Sequence, residues 1–411
     1  MKLRILSALA ALLLLAACAA PMTPDLAKEA RRIAKSSIIV DTHIDAPIRL
    51  HSRPADISKA TKSGDFDYPR ALIGGLNAPF MSIYTPARLE ASGGSKQLAE
   101  ELVNMVEGFV ATSPDKFALA TSPSQVREQF DNGIISLAMG MENGSPIEGK
   151  LENLQHFFDR GIRYITLAHS LSNHIADSSY DKNRPWKGLS EFGVSVVEEM
   201  NRLGIMVDIS HVSDDAFWQV LEVSKVPLIA SHSSARHFTP GFERNMADDM
   251  IIALAKNGGV MQINFGSTFV TANALAYSDK QTAAGLEWLA NNPQYEAADA
   301  YTKFPAIYAE EYGGMPFASL DDVLDHIDHV VSLTSIDHVG LGSDYDGVGD
   351  TLPTGLKDVA AYPNLIEGLL KRGYSEGDIR KILGENLLRV WQAAEDYAAI
   401  KSTRTYRNKT S

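Results

Sequence analysis

The chain has 411 residues, of which 45% are hydrophobic and 22% charged, and its formal net charge is −13. This composition is typical of a globular protein, and the length allows one large domain or two medium ones. The acidic balance and the lack of a basic stripe argue against a nucleic-acid partner, because phosphate binding requires clustered Lys and Arg side chains.

Residues 1–18 have the pattern of an export signal. Two positive charges within residues 1–4 precede an unbroken apolar run, and small residues surround Cys18, which is the only cysteine. The run LAAC ending at Cys18 resembles a bacterial lipobox, whose cysteine is lipidated. Cleavage nearby without lipidation is the alternative. Both alternatives predict an exported protein of the bacterial cell envelope without internal disulfides. In the first, acylated Cys18 would anchor the protein to the lipid bilayer.

Eight apolar runs closed by polar residues follow a tether and N-terminal helix predicted for residues 19–35. The runs cover residues 36–41, 78–84, 133–142, 164–169, 205–211, 227–232, 259–265 and 338–345. Most are continuously apolar, as expected for strands buried on both faces. Residues 36–400 are expected to form one domain, and the polar residues 401–411 a tail.

Helical periodicity lies between the predicted strands. It covers residues 97–111, 189–203, 213–224, 248–257 and 320–333. Strand alternating with helix eight times predicts an α/β fold, a (β/α)₈ barrel of the TIM type, with C-terminal helices that turn Trp391 inward. A doubly wound open sheet is the alternative, but its glycine-rich turn after the first strand is missing.

Two connections are longer than a crossover requires. Residues 48–77 join the first two strands, and residues 266–318 form a long insert between strands seven and eight. Both leave the carboxyl ends of strands, where barrel enzymes carry their chemistry. They are expected to form a lid or pocket wall, although the second could equally be a helical pair packed outside the barrel.

Side chains of the types that bind metals stand at the carboxyl ends of the predicted strands. They are His43, Asp45, Glu142, His169, His211 and His232, with Asn264 and Asp344 after the last two strands. The chain has 11 histidines, and four of them stand at one face of the predicted barrel. Imidazoles combined with carboxylates suit Zn²⁺ better than Ca²⁺ or Mg²⁺. Five strong donors from this set already exceed the needs of one catalytic zinc, which predicts two metals bridged by Glu142.

Seven motifs carry a resemblance to a known family. They are DTHID (41–45), GMENG (140–144), YITLAHS (164–170), DISHVS (208–213), SHSSAR (231–236), RNMADD (244–249) and GLGSDYDGV (340–348). In this order they resemble the membrane (renal-type) dipeptidases, a binuclear zinc branch of the amidohydrolase-like barrels. The resemblance extends over residues 38–391.

The resemblance implies a zinc-dependent dipeptidase with two zinc ions per chain. One zinc would be held by His43, Asp45 and Glu142. The other would be held by Glu142, His211 and His232. A hydroxide bridging the two ions would attack the peptide carbonyl of a dipeptide substrate.

The resemblance also implies roles for residues around the metals. His169 and Arg244 would contact substrate, the first at the developing oxyanion and the second at the free carboxylate, and Asp344 would transfer protons. Asn264 is a further candidate for lining the substrate pocket, and Asp346 is the alternative to Asp344.

Other interpretations remain open at this stage. The same chemistry would serve a hydrolase of a β-lactam, lactone or N-acyl amino acid, and a non-catalytic solute-binding lipoprotein is an alternative of a different class. A homodimer is possible. Asp41 and Asp208 are candidates for orienting the ligand histidines. Among the histidines that match no core motif, six are interpreted as structural or solvated: His51, His174, His237, His326, His329 and His338.

Overall fold

A computed structural model describes the backbone of residues 25–409 and the side chains of residues 25–402. Nine strands lie in this part of the chain. They are β1 Val40–Ile44, β2 Ala78–Tyr84, β3 Phe117–Leu119, β4 Ile135–Glu142, β5 Ile162–Thr166, β6 Met206–Asp208, β7 Ile229–Ser233, β8 Val260–Ile263 and β9 Val339–Leu341. Eight of them form the parallel barrel, and β3 pairs with the amino-terminal part of β4.

The sheet closes on itself and is therefore a barrel. Its strand order is β1-β2-β4-β5-β6-β7-β8-β9, with every pair parallel. After β9, the amide of Asp344 donates to the carbonyl of His43 (3.1 Å), and the amide of Asp45 donates to the carbonyl of Tyr345 (2.8 Å). These bonds join the two edges of the sheet. The predicted (β/α)₈ fold is confirmed, and the open sheet is excluded.

Helices pack on the outside of the barrel. They are α1 Leu26–Ser36, α2 Ala46–Ser52, α3 Tyr68–Gly74, α4 Leu89–Ser92, α5 Ser95–Thr112, α6 Pro123–Asp131, α7 Leu151–Asp159, α8 Glu191–Leu203, α9 Asp214–Val223, α10 Asp248–Lys256, α11 Ser267–Val270, α12 Ala272–Asn291, α13 Asp299–Thr302, α14 Phe304–Tyr312, α15 Leu320–Leu333, α16 Tyr362–Lys371, α17 Glu376–Arg380 and α18 Asn386–Lys409. A π-helical turn, Lys381–Glu385, joins the last two.

The barrel interior is filled at its amino-terminal end by one side of α18. Alternate residues of the strands, such as Phe80 and Tyr164, pack there with Trp391, whose ring centroid lies 5.2 Å from that of Phe80. Trp391 is fully buried, as predicted. Because this end is closed by apolar side chains, polar residues can gather only at the carboxyl ends of the strands.

The strand bounds differ from the predicted runs by several residues. Strand β1 begins at Val40 and includes the polar residues Asp41 to His43, because both of its faces are buried. Strand β3 was not predicted, since its three residues do not form a long apolar run. Helix α18 continues to Lys409 where a tail was expected.

Candidate metal centre and active-site cavity

Glu142, at the end of β4, is the centre of a cluster of imidazoles. Its Oε1 lies 3.2 Å from Nε2 of His211, 3.3 Å from Nε2 of His169 and 3.4 Å from Nε2 of His232. Its Oε2 lies 3.4 Å from Nε2 of His43. The five side chains come from β1, β4, β7 and the loops after β5 and β6, so the barrel brings together residues far apart in sequence.

A second group of carboxylates flanks His43. Oδ2 of Asp45 lies 3.5 Å from Nε2 of His43, and donor atoms of His43, Asp45 and Asp344 all lie within 4.8 Å of one another. Gly347 closes this side: a Cβ there would lie 2.2 Å from both Asp344 Oδ1 and Asp45 Oδ2. The two carboxylates can lie this close to the loop only because residue 347 has no side chain.

Tyr164 determines which nitrogen of His43 faces the cluster. Its hydroxyl donates to the carbonyl of Thr42 (2.9 Å) and lies 2.8 Å from Nδ1 of His43. Because the single hydroxyl proton is used on Thr42, Nδ1 of His43 is the donor to the tyrosine oxygen. The lone pair of neutral His43 therefore lies on Nε2, facing the carboxylates.

His232 is oriented in the same way through Ser231. The hydroxyl of Ser231 donates to Oδ2 of Asp208 (2.6 Å) and lies 2.7 Å from Nδ1 of His232. Asp208 therefore acts on the imidazole through this serine and does not contact the ring itself. Asp41 differs from the prediction, because it accepts hydrogen bonds from the backbone amides of His43 and Ser343 and from Tyr362, and does not contact the imidazole.

The electrostatics of the cluster require a positive charge. Burial, followed by the charges of His43 and Arg244, lowers the pKa of His232 well below its ordinary range and keeps it neutral. Burial also opposes charge on His43, but Tyr164, Glu142 and Asp45 raise its pKa well above the ordinary range. Burial alone would raise the pKa of Glu142, whereas His43 and His169 hold it well below its usual value.

These residues fit a divalent cation. Nε2 of His43 is buried and has no hydrogen-bond partner among the described residues, although two carboxylates lie near it. Lone pairs on Nε2 of His43 and His232 would repel the oxygens of Glu142 unless a proton or a metal ion lay between them. Imidazole nitrogens with carboxylate oxygens are typical zinc ligands.

Asp344 has the properties of a proton carrier. Burial is the main cause that raises its pKa to about 7, and the charges of Asp45 and Glu142 contribute. Asn264 donates to Oδ2 of Asp344 (2.8 Å), which leaves Oδ1 toward the cluster. Asn264 itself is fully buried and does not line the cavity, contrary to the prediction. Its side-chain NH2 group donates to Asp344, and its side-chain oxygen accepts from the backbone amide of Gly266.

Asp346, the alternative to Asp344, has a structural environment instead. Its Oδ2 lies 2.9 Å from Nε of Arg49, and its Oδ1 accepts from the amide of Asp65 (2.7 Å). These contacts fasten α2 and the loop of residues 53–67 to the loop that follows β9. Burial raises the pKa of Asp346 although Arg49 opposes this. Both of its oxygens are engaged, by Arg49 and by the amide of Asp65, so Asp346 is less suited than Asp344 to carry a proton.

His169 lies within the cluster, whereas Arg244 lies behind the cavity wall. His169 contacts Glu142 at the same distance as the predicted ligands, and it is partly exposed. Arg244 is only 3% exposed; it donates to Ser233 Oγ (2.7 Å) and the carbonyl of His232 (2.8 Å), and its guanidinium lies 5.3 Å from the ring centre of Phe269. Its Nε has no partner among residues 25–402.

A cavity of about 530 Å³ opens above these groups, within the range of about 300–1,000 Å³ usual for small-molecule sites. Glu142, His211 and Asp344 lie on its polar side, and Ile48 and Val348 are among its apolar residues. The insert contributes Thr268, Phe269 and Ser278 to the wall. The start of the insert is thus a pocket wall, while aromatic residues of α12 and α14 pack on one another, such as Trp288 and Phe304.

The backbone is strained around this cavity. Within residues 25–409, six residues other than glycine have positive φ: Asn143, Glu148, Lys187, His211, Asp344 and Asp346. Asn143 directly follows β4, and His211, Asp344 and Asp346 lie in the loops that follow β6 and β9. Such conformations cost about 1–3 kcal/mol each and persist where the surrounding structure imposes them, often at functional sites.

No helix among the described residues has the length and apolarity needed to span a membrane. The predicted export signal and Cys18 lie outside the described residues.

Comparisons with known proteins agree with the geometry. The sequence profile of the membrane dipeptidase family, peptidase family M19, matches residues 27–405. An uncharacterized dipeptidase of Schizosaccharomyces pombe is 32% identical over 374 residues, which cover 87% of this chain and 81% of that protein.

Two solved structures are similar over nearly their whole length. The probable dipeptidase PvdM of Pseudomonas aeruginosa has a TM-score of 0.80 at 25% identity, covering 91% of this chain and 99% of that one. A metallopeptidase of Rhodobacter sphaeroides, liganded with a phosphinate mimic of the dipeptide L-Ala-D-Ala, has a TM-score of 0.71 at 26% identity, covering 87% and 99%. The chain belongs to the membrane dipeptidase family M19 and is a metallo-dipeptidase.

Proposed function

We propose that this dipeptidase is zinc-dependent and holds two zinc ions bridged by Glu142. His43 and Asp45 would complete one site, and His211 and His232 the other. The observation that supports this proposal is the convergence of four imidazole nitrogens on the two oxygens of one carboxylate. Bound zinc would polarise the scissile carbonyl and lower the pKa of the attacking water.

Asp344 is proposed to accept a proton from that water and to deliver it to the leaving amine. Its buried carboxyl, with a pKa raised to about 7, is suited to both transfers near neutral pH. Asn264 holds one oxygen, so the other keeps a fixed direction toward the cluster. His169 lies at the cavity wall, where it would donate to the developing oxyanion.

Arg244 is proposed to select substrates with a free carboxylate close to the scissile bond. The Nε of its buried guanidinium has no hydrogen-bond partner among residues 25–402, and its positive charge acts on neighbouring groups such as Tyr180. A carboxylate in the cavity, beside the ring of Phe269, would satisfy this charge. A cavity of limited size with a positive charge behind one wall favours dipeptides over longer chains.

A stereoisomer panel tests this function. Purified protein would be assayed with the four Ala-Ala stereoisomers, with and without a chelator, alongside a β-lactam, a lactone and an N-acyl amino acid. Chelator-sensitive hydrolysis of at least one Ala-Ala isomer, with close to two zinc ions per chain, is expected. The L-Ala-D-Ala mimic bound by the relative makes this isomer the first to test. Hydrolysis of the other classes alone would contradict the proposal.

We also propose that the protein is exported and anchored to a bilayer through acylated Cys18. The support is the signal pattern of residues 1–18 with its single cysteine. In cells fed a labelled fatty acid, the wild-type chain should take up label and fractionate with membranes. Cys18→Ser should lose both properties, and membrane association of the unlabelled variant would contradict the anchor. A homodimer is the proposed assembly, to be checked by sedimentation.

A further inference from the structure

His237, Asp248 and His329 form a second group of ligand-type side chains, which we call the His237 cluster. One donor atom from each residue lies within 4.8 Å of the other two. The residues come from three different elements: the turn Arg236–Phe238 after β7, the first position of α10, and the last turns of α15. The cluster lies at the protein surface, since His237 is exposed and the Asp248 side chain is 45% exposed.

The imidazole of His237 is held in position by contacts with neighbouring rings. Its ring stacks on that of His329, with centroids 4.4 Å apart and planes inclined by 25°. The ring of Phe238 lies edge-on to it at 4.9 Å. No hydrogen bond to the described residues engages its ring nitrogens. Nε2 of His329, in turn, lies 2.8 Å from Oδ1 of Asp248.

From this geometry we infer that the His237 cluster binds a divalent cation of the zinc class, separate from the centre at Glu142. Two imidazoles and one carboxylate are a common donor set for Zn²⁺ and a poor one for Ca²⁺ or Mg²⁺. Zinc bonds of about 2.0–2.2 Å place ligand atoms roughly 3–4 Å apart. The lone pairs of two nearly parallel rings do not converge, so the exposed His237 would turn out of its stack on His329 to bind the same ion. Water would take the fourth position.

The cation would fasten the segment that carries Arg244. This segment leaves β7, passes His237 and Arg244, and ends at Asp248. Its two ends already approach each other, since the amide of Arg236 donates to the carbonyl of Met246 (2.8 Å). A metal held by His237 and Asp248 would join these ends to α15 through His329. The cluster thus stabilises the cavity wall from outside and takes no part in the reaction.

Zinc uptake by matched variants tests the inference. The protein, carrying its resident metals, would be titrated with Zn²⁺ in equilibrium dialysis, together with His237→Ala, His329→Ala and the control His51→Ala. His51 is likewise an exposed imidazole paired with a carboxylate, 3.1 Å from Glu101. Wild type and the control should bind one zinc per chain more than the two cluster variants. Added zinc should raise the Tm of the wild type and of His51→Ala, but not that of His237→Ala or His329→Ala.

Equal uptake by all four chains, or no difference in the Tm response, would overturn the inference. Asp248→Asn gives a second measurement if an alanine variant folds poorly, because it keeps the shape of the side chain and removes its charge. It should weaken the extra zinc binding as well. The result is a difference between chains, so it does not depend on how many metals the Glu142 centre holds or on whether the proposed dipeptidase mechanism is correct.

Discussion

The hydroxyl of Tyr164 lies 2.8 Å from Nδ1 of His43, and this contact fixes the imidazole with Nε2 toward Glu142. Tyr164→Phe removes the contact and leaves a buried Nδ1 unpaired. Loss of such an outer partner typically weakens metal binding about 10–100-fold. We expect this decrease in affinity at the Glu142 centre, measured by competition with a chelator.

Tyr374→Phe is the control for this measurement. It also deletes a tyrosine hydroxyl that hydrogen-bonds a side chain, that of Asp328, far from the metal centre. Its metal affinity should match that of the wild type. Equal affinity of the Tyr164→Phe variant would show that His43 does not depend on the hydroxyl.

Gly347 leaves the space in which Asp45 and Asp344 lie. In Gly347→Ala, a methyl group would meet both carboxylates at 2.2 Å, so at least one must move. Because displacement of a reacting group by about 1 Å can cost about 100-fold in rate, we expect kcat/KM to fall by at least this factor. Steady-state kinetics on a dipeptide measure it.

Gly377→Ala is the matched substitution. Gly377 is in α17, and the nearest atom to an added Cβ is 3.7 Å away. This variant should keep wild-type kinetics. Retained activity in Gly347→Ala would mean that the two carboxylates tolerate displacement and that their separation is not critical.

His169 and His211 contact the same oxygen of Glu142, at 3.3 and 3.2 Å, yet different roles are proposed for them. His169→Ala should retain two metals and lose about 10²–10³-fold in kcat, the usual cost of removing an oxyanion donor. His211→Ala should lose metal as well as activity. Metal content and kcat, determined on the same preparations, separate the roles. A metal-depleted His169→Ala would make His169 a ligand.

The sequence predicts the barrel well because its strands are buried on both faces and end in polar residues. The same feature predicts Glu142, His211 and His232 as neighbours, since the carboxyl ends of parallel strands meet at one mouth of the barrel. The supporting contacts were harder to predict. Tyr164 lies 121 positions from His43, and its hydroxyl is hidden within an apolar run.

Other parts of the site have a local signal in the sequence. Ser231 precedes His232 directly in the run SHSS, so a hydroxyl beside the imidazole could have been expected. Asn264 follows a strand like the ligands do, but its side chain turns to Asp344 instead of the cavity. Sequence position gives the end of the barrel on which a residue lies, whereas side-chain direction depends on neighbours that only the fold supplies.

Asp65 is expected to make stability depend on pH. Burial and the charge of Asp346 raise its pKa to about 6, against about 3.9 in an unfolded chain. Between these values the folded state binds more protons than the unfolded state, so this carboxyl lowers the free energy of unfolding as pH rises from about 4 to about 6.

Asp65→Asn removes this dependence and can keep the contact with the amide of Asp346, since an amide oxygen accepts the same hydrogen bond. The variant should gain stability relative to wild type as pH rises from 5 to about 6.5, and the gain should then level off. Urea unfolding of both metal-loaded chains across this range measures it, because pH effects on metal binding are common to both and cancel in the difference. A difference that stays constant with pH, or one that shrinks as pH rises, would show that ionised Asp65 is not a cost to the fold.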